Sequence, residues 1–288
     1  MPTAHANGVE ICYETVGDPA DPAVLLIHGH GAQLISWDEA LIDELVGLGL
    51  HVIVFDNRDA GCSTHFDGVA GPDVLAILDG DISSVRYSIE DMADDAAGLL
   101  AALEIDDAHV VGISMGGMIA QSFAIRHARR VVTLTSVMST PDPLRVGTAR
   151  PEVIERWFEP APTTKDEVVA AAMESWRATG SVELGLDEAW IHDVTVRQYD
   201  RSFDPMGTAR QFGAIIGSPD RRPGLSGVTA PTLVVHGAID PIVTVEGGYA
   251  TAEAVRGSEL IVIDKMGHDL PRAVWPQLLE AFAAHAGI

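Results

Sequence analysis

The sequence predicts an α/β domain: a mostly parallel central sheet flanked by helices, with an inserted helical lid. Three observations predict it. Short apolar runs such as Ala23–Ile27 (AVLLI) and His51–Phe55 (HVIVF) alternate with segments of helical spacing, the pattern of strands covered by helices on both faces. Between about Pro141 and Leu225 these runs stop, and the chain becomes rich in Pro, Trp, Glu and Ala. They resume at Thr232–His236 (TLVVH).

Val9–Val16 reads as an early strand, and Ala23–Ile27 as a buried one ending at His28-Gly29. Trp37–Leu48 has helical spacing. His51–Phe55 opens into Asp56-Asn57-Arg58-Asp59, and a polar stretch from about Ser63 to Val85 reads as a long connection with room for one helical turn. Ser88 starts a helix. Asp91 three residues later completes a capping-box pattern, with Asp in place of the usual Glu. Ile89, Met92, Ala96, Leu99 and Leu103 share its apolar face. His109–Ile113 is a strand, the chain after Ser114 is helical to His127, and Val131–Val137 is a further strand. After the insertion, a helix is expected near Val245–Val255, a strand at Leu260–Asp264 and a last helix over about Ala273–His285. The expected organisation is a core of residues 1–139 and 226–288, with the lid at 140–225.

Composition excludes several classes. The chain has 288 residues, which suits one large domain with an insertion. Its 47% hydrophobic and 21% charged residues argue against disorder. With 42 acidic and 18 basic residues, the net charge of −24 repels phosphate backbones and anionic membranes. No nucleic acid and no membrane is therefore expected as a partner. The N-terminus lacks the basic start and apolar run of a signal peptide, and no stretch approaches the roughly 18 apolar residues of a span. A cytoplasmic protein is expected. Cys12 and Cys62 show no metal-ligand spacing and are too few for a disulfide scaffold, so two reduced thiols are expected.

The chemistry concentrates at Gly112-Ile113-Ser114-Met115-Gly116-Gly117, between a strand and a helix. That context is what a nucleophile elbow needs: a strained serine in a turn so tight that only glycine fits at positions 112 and 116. A serine hydroxyl needs a base, and the fold supplies its partners in the order Ser, Asp, His. Of the later histidines, His127 and His285 lie on helical faces exposed to solvent, His192 lies in the lid, and His236 ends a strand as a packed residue. His268 alone sits in a loop after a late strand. The acid is expected after the preceding strand, at Asp240. Asp264 and Asp269 flank His268 and compete. Asp264 is the better competitor, but it shares the histidine's strand–loop unit and would have to fold back. Two backbone N–H groups must face the oxyanion, and those of His30, in the His28-Gly29-His30-Gly31 loop, and Met115 are the candidates. Trp157, Phe158, Trp176, Trp190, Tyr199 and Phe212 are candidate pocket residues in the lid.

These motifs, with Phe55-Asp56-Asn57-Arg58-Asp59-Ala60-Gly61-Cys62-Ser63, resemble those of bacterial α/β-hydrolases, in the same order and over nearly the whole chain. The chain looks most like the aclacinomycin methylesterase type, which cleaves a carbomethoxy ester on an anthracycline. Its first loop departs, with His28-Gly29-His30 where that group has Met-Gly-Gly, so the substrate does not carry over. The implied function is a carboxylic ester hydrolase working through an acyl-enzyme on a small or medium ester or lactone, with no metal or organic cofactor. Asp56, Arg58 and Asp59 are expected to form a structural ion-pair turn. Two alternatives share the scaffold: a cofactor-free perhydrolase (haloperoxidase) or carbon–carbon bond hydrolase on the same triad, and a non-catalytic ligand-binding protein.

Overall fold

A computed structural model describes residues 1–157, 159 and 161–288. Its strands are β1 (Thr3–Ala6), β2 (Val9–Val16), β3 (Ala23–Ile27), β4 (His51–Phe55), β5 (Ala108–Ile113), β6 (Val131–Val137), β7 (Thr232–Gly237) and β8 (Glu259–Ile263). They form one sheet in the order β1-β2-β4-β3-β5-β6-β7-β8. The β1–β2 and β2–β4 pairs are antiparallel, and every later pair is parallel. The short polar strand β1 was not expected from the sequence.

The helices are α1 (Glu39–Gly47), α2 (Val74–Leu78), α3 (Ile89–Ala102), α4 (Met115–Arg126), α5 (Pro151–Arg156), α6 (Lys165–Thr179), α7 (Glu188–Arg201), α8 (Pro205–Ile216), α9 (Arg222–Leu225), α10 (Glu246–Ala254) and α11 (Trp275–Ala286). Ser88 caps α3 through the reciprocal pair with Asp91 read from the sequence. α1 starts two residues later than its spacing implied. Trp37 is extended there, and the Asp38 carboxylate takes the Ala40 N–H as the cap.

Alternation along the strands splits the core in two. Leu25, Ile27, Ile53 and Phe55 face α3 and α4, against Met92, Leu99, Ile119 and Phe123. Val24, Leu26, Val52 and Val54 face the other way, with Leu41 and Leu45 of α1 and Trp275 and Phe282 of α11. Every described element between β6 and β7 is helical, or a single turn of tighter helix at Val182–Leu184. This segment lies beyond the C-terminal ends of the parallel strands, where it borders a cavity of about 1560 Å³. No helix among the described residues is long and apolar enough to cross a membrane.

Candidate active site

The turn from β5 into α4 holds Ser114 at φ 56° and ψ −121°, a strained conformation for a residue with a Cβ. The glycines around it explain how the turn closes. A Cβ at position 112 would strike the Gly116 carbonyl, and one at 116 would strike the Ile27 and His28 carbonyls of the loop after β3. The serine stands at the N-terminus of α4, where unpaired amides favour negative charge.

Two loops from the far end of the sheet reach this serine. Nε2 of His268 lies 2.9 Å from Ser114 Oγ, and Nδ1 lies 2.6 Å from Asp240 Oδ2. Asp240 is fully buried, and its other oxygen accepts the N–H groups of Ile242 and Val243 at 2.9 and 3.0 Å. With Oδ2 ionised, Nδ1 carries the ring proton and Nε2 is left to accept from the serine. His236, wholly buried, donates Nε2–H to the Val243 carbonyl at 2.8 Å and so fastens the same loop. Asp264 is exposed at the surface. Asp269 is buried but bonded to Ser181, not to His268.

The loop after β3 passes over the serine. A Cβ on Gly29 would lie 3.2 Å from Ser114 Cβ. Among the described residues, no protein acceptor engages the N–H of His30 or of Met115. The next amide, Gly31, is taken by Gln211 Oε1 at 2.8 Å, while the His30 ring bonds the Thr208 carbonyl at 2.8 Å and packs on Phe212. The loop is thus anchored on α8. Nothing in the sequence marked Gln211 or Thr208 for that role. Burial holds His28 down to about 4. Its Nδ1 accepts the Gly29 N–H, so this ring is neutral and structural.

The cavity opens over Ser114 and His268. Trp157, Trp176, Trp190 and Tyr199 all border it, as does Phe212. Trp176 meets Trp190 edge-on with centroids 6.3 Å apart, and Trp157 meets Phe212 at 5.3 Å. Phe158 lies outside the described residues. His127 differs from its expected exposure: it is half-buried, with Nε2 2.7 Å from Asp94.

The Asp56–Asp59 segment makes ion pairs, but its partners lie outside the turn. Asp56 binds Arg201 of α7 at 2.6 Å, Arg58 binds Asp95 of α3 through both oxygens at 2.6 Å, and Asp59 binds Arg210 of α8 at 2.8 Å. Burial pushes the Asp59 carboxyl up. Arg210, the Phe66 N–H and the Tyr87 hydroxyl outweigh that and hold it below the usual carboxylate range. Among the described residues, two groups have the donors and spacing to hold a metal: Cys12, Asp56 and Cys62, and Asp59, His65 and Asp204. Each already contains a guanidinium, Arg201 in the first and Arg210 in the second, which supplies the positive charge a cation would bring.

A family model described as the alpha/beta hydrolase fold matches residues 22–271, and the chain belongs to that family. It is 28% identical to rhodomycin D methylesterase DnrP of Streptomyces peucetius, over 99% of this chain and 98% of that protein. It is 26% identical to 3-oxoadipate enol-lactonase 2 of Acinetobacter baylyi, over 91% and 88%. Among solved structures, the enol-lactonase from Burkholderia xenovorans LB400 is similar with a TM-score of 0.71 and 25% identity, covering 98% of this chain and 97% of that one. The likeness to hydrolases of the methylesterase type, read from the motifs, therefore runs along the whole chain.

Proposed function

We propose that this chain is a serine esterase with Ser114 as nucleophile, His268 as base and Asp240 as acid. The observation that carries the reading is the continuous Ser114–His268–Asp240 hydrogen-bond chain at the floor of the cavity. His268 removes the Ser114 proton as Oγ attacks the ester carbonyl, and Asp240 stabilises the imidazolium. The His30 and Met115 amides receive the oxyanion. Collapse expels the alcohol with the proton from His268. Water, deprotonated by the same ring, then attacks the acyl-enzyme and releases the acid.

The helical segment 140–225 acts as the lid and shapes the pocket. At about 1560 Å³ the cavity exceeds the roughly 300–1,000 Å³ usual for small ligands, which supports a bulkier ester than the small or medium one expected from sequence. Its aromatic and aliphatic lining supports an apolar one. Arg272 is the only arginine or lysine among the described residues bordering the cavity, and its guanidinium is bonded to Asp38 at 2.9 and 3.0 Å. A substrate carboxylate would therefore find no free cation, so the ester is uncharged or cationic. The methylesterase activity in the name of the Streptomyces peucetius relative supports ester cleavage.

The test is turnover of nitrophenyl esters of graded acyl size, with fluorophosphonate labelling of the protein. Hydrolysis and labelling are expected in the wild type, and both are expected to vanish in a folded Ser114→Ala variant. A Ser114→Ala variant with near-normal turnover refutes the assignment. Turnover that requires hydrogen peroxide favours the perhydrolase alternative.

A further inference from the structure

The loop carrying His268 is held on two sides, by different parts of the chain. On the core side, the Ile239 N–H donates to the Met266 carbonyl at 3.2 Å. The backbone N–H groups of Gly267 and His268 are instead held by the insertion. The His268 N–H donates to the Thr179 carbonyl at 2.8 Å, and the Gly267 N–H donates to Ser181 Oγ at 2.8 Å. Ser181 is completely buried and Asp269 is 5% exposed. The Ser181 hydroxyl accepts the Gly267 N–H and donates its own hydrogen to Asp269 Oδ1. The fit is close: a Cβ on Gly267 would strike the Thr179 carbonyl, and one on Gly180 would lie 3.3 Å from Asp269 Oδ2.

We infer that Ser181 and Asp269 form a clamp by which the inserted helices position the base His268. Ser181 brackets the imidazole on both sides in sequence: its hydroxyl accepts the amide N–H of residue 267 and donates to the carboxylate of residue 269. Neither Ser181 nor Asp269 touches the reacting atoms, so both are positioning residues. Ser181 sits two residues after the end of α6, the helix whose Trp176 borders the cavity. The segment that shapes the pocket therefore also sets where the base stands, and displacement of α6 transmits to His268 through three hydrogen bonds. Catalysis is steep in such displacement, since about 1 Å of misplacement costs on the order of 10²-fold in rate. The inference rests on the triad reading given above.

The experiment compares Ser181→Ala, Asp269→Ala and Asp269→Asn with wild type and Ser114→Ala, on one ester. Three readouts are taken: kcat and KM, melting, and the low-field NMR proton shared by His268 and Asp240. Both alanine variants are expected to lose about 10- to 100-fold in kcat with KM within about threefold, and their low-field proton to broaden or vanish. Asp269→Asn keeps an oxygen for the Ser181 hydroxyl and is expected to recover most of kcat and the resonance. If Ser181→Ala does not fold, the Asp269 pair decides. Alanine variants with kcat within twofold of wild type overturn the clamp, as does an asparagine variant no better than alanine with the resonance unchanged. In either case loss of turnover in Ser114→Ala keeps the triad reading standing, whereas a Ser114→Ala variant that still turns over removes both.

Discussion

Replacing Asp240 by asparagine isolates the role of one charge without altering shape. The carboxylate uses Oδ1 for the Ile242 and Val243 N–H groups and Oδ2 for His268 Nδ1 at 2.6 Å. Asparagine has one oxygen, and the two backbone donors hold it on their side. The NH2 group then faces His268 and can only donate, so Nδ1 must become the acceptor. The ring proton moves to Nε2, which faces Ser114 Oγ at 2.9 Å and can no longer take its proton. In the serine-protease triad the same wrong-tautomer change costs about 10⁴-fold in kcat, or about 5.5 kcal/mol of barrier. Folding should change little, by about 1 kcal/mol, because both backbone bonds survive. The assay is kcat for a nitrophenyl ester beside a thermal melt. Asp240→Asn activity within tenfold of wild type, or a larger loss in Asp264→Asn, would show that Asp240 does not set the tautomer of His268.

Two further outcomes follow from the buried charges. Arg210→Met leaves the Asp59 carboxylate buried with only the Phe66 N–H and Tyr87 hydroxyl. It should destabilise by about 3–5 kcal/mol in urea titration, and Asp59→Asn added to it should restore part of that loss. Asparagine suits the site because Asp59 has φ 61°, which asparagine tolerates. Both ring nitrogens of His65 face acceptors, Asp204 at 2.7 Å and the Gly61 carbonyl at 3.0 Å. Burial lowers this imidazole, but those acceptors, with Asp59 nearby, outweigh it and hold it above its ordinary value. Its stabilisation is complete below the unfolded value of about 6.5 and is lost as pH rises through the raised folded value. Unfolding free energy should fall across that window, by at most about 1.36 kcal/mol per pH unit from this group, and His65→Gln should flatten the slope. An unchanged slope in His65→Gln would assign it to other groups.

The strands from β2 onward, the helical character of the insertion and the tight turn at Ser114 are legible in the amino-acid order alone. These signals are local. An apolar run of five residues, or the glycine at 112 whose Cβ would strike Gly116, is complete within a few positions. The strand β1 escaped because Thr3–Ala6 carries no apolar run, and it pairs only through the edge of β2. The partners of Asp56, Arg58 and Asp59 also escaped. Their charges were legible, but Arg201, Asp95 and Arg210 come from other elements, and nothing near the turn points to them. The acids near His268 show the same division. Asp240, Asp264 and Asp269 all lay within reach along the chain. Only the tertiary structure puts Asp240 on the imidazole, leaves Asp264 in solvent and turns Asp269 toward Ser181. A hydrogen bond depends on direction as well as distance. Direction at a loop is set by whatever packs against it, here an insertion far away in sequence.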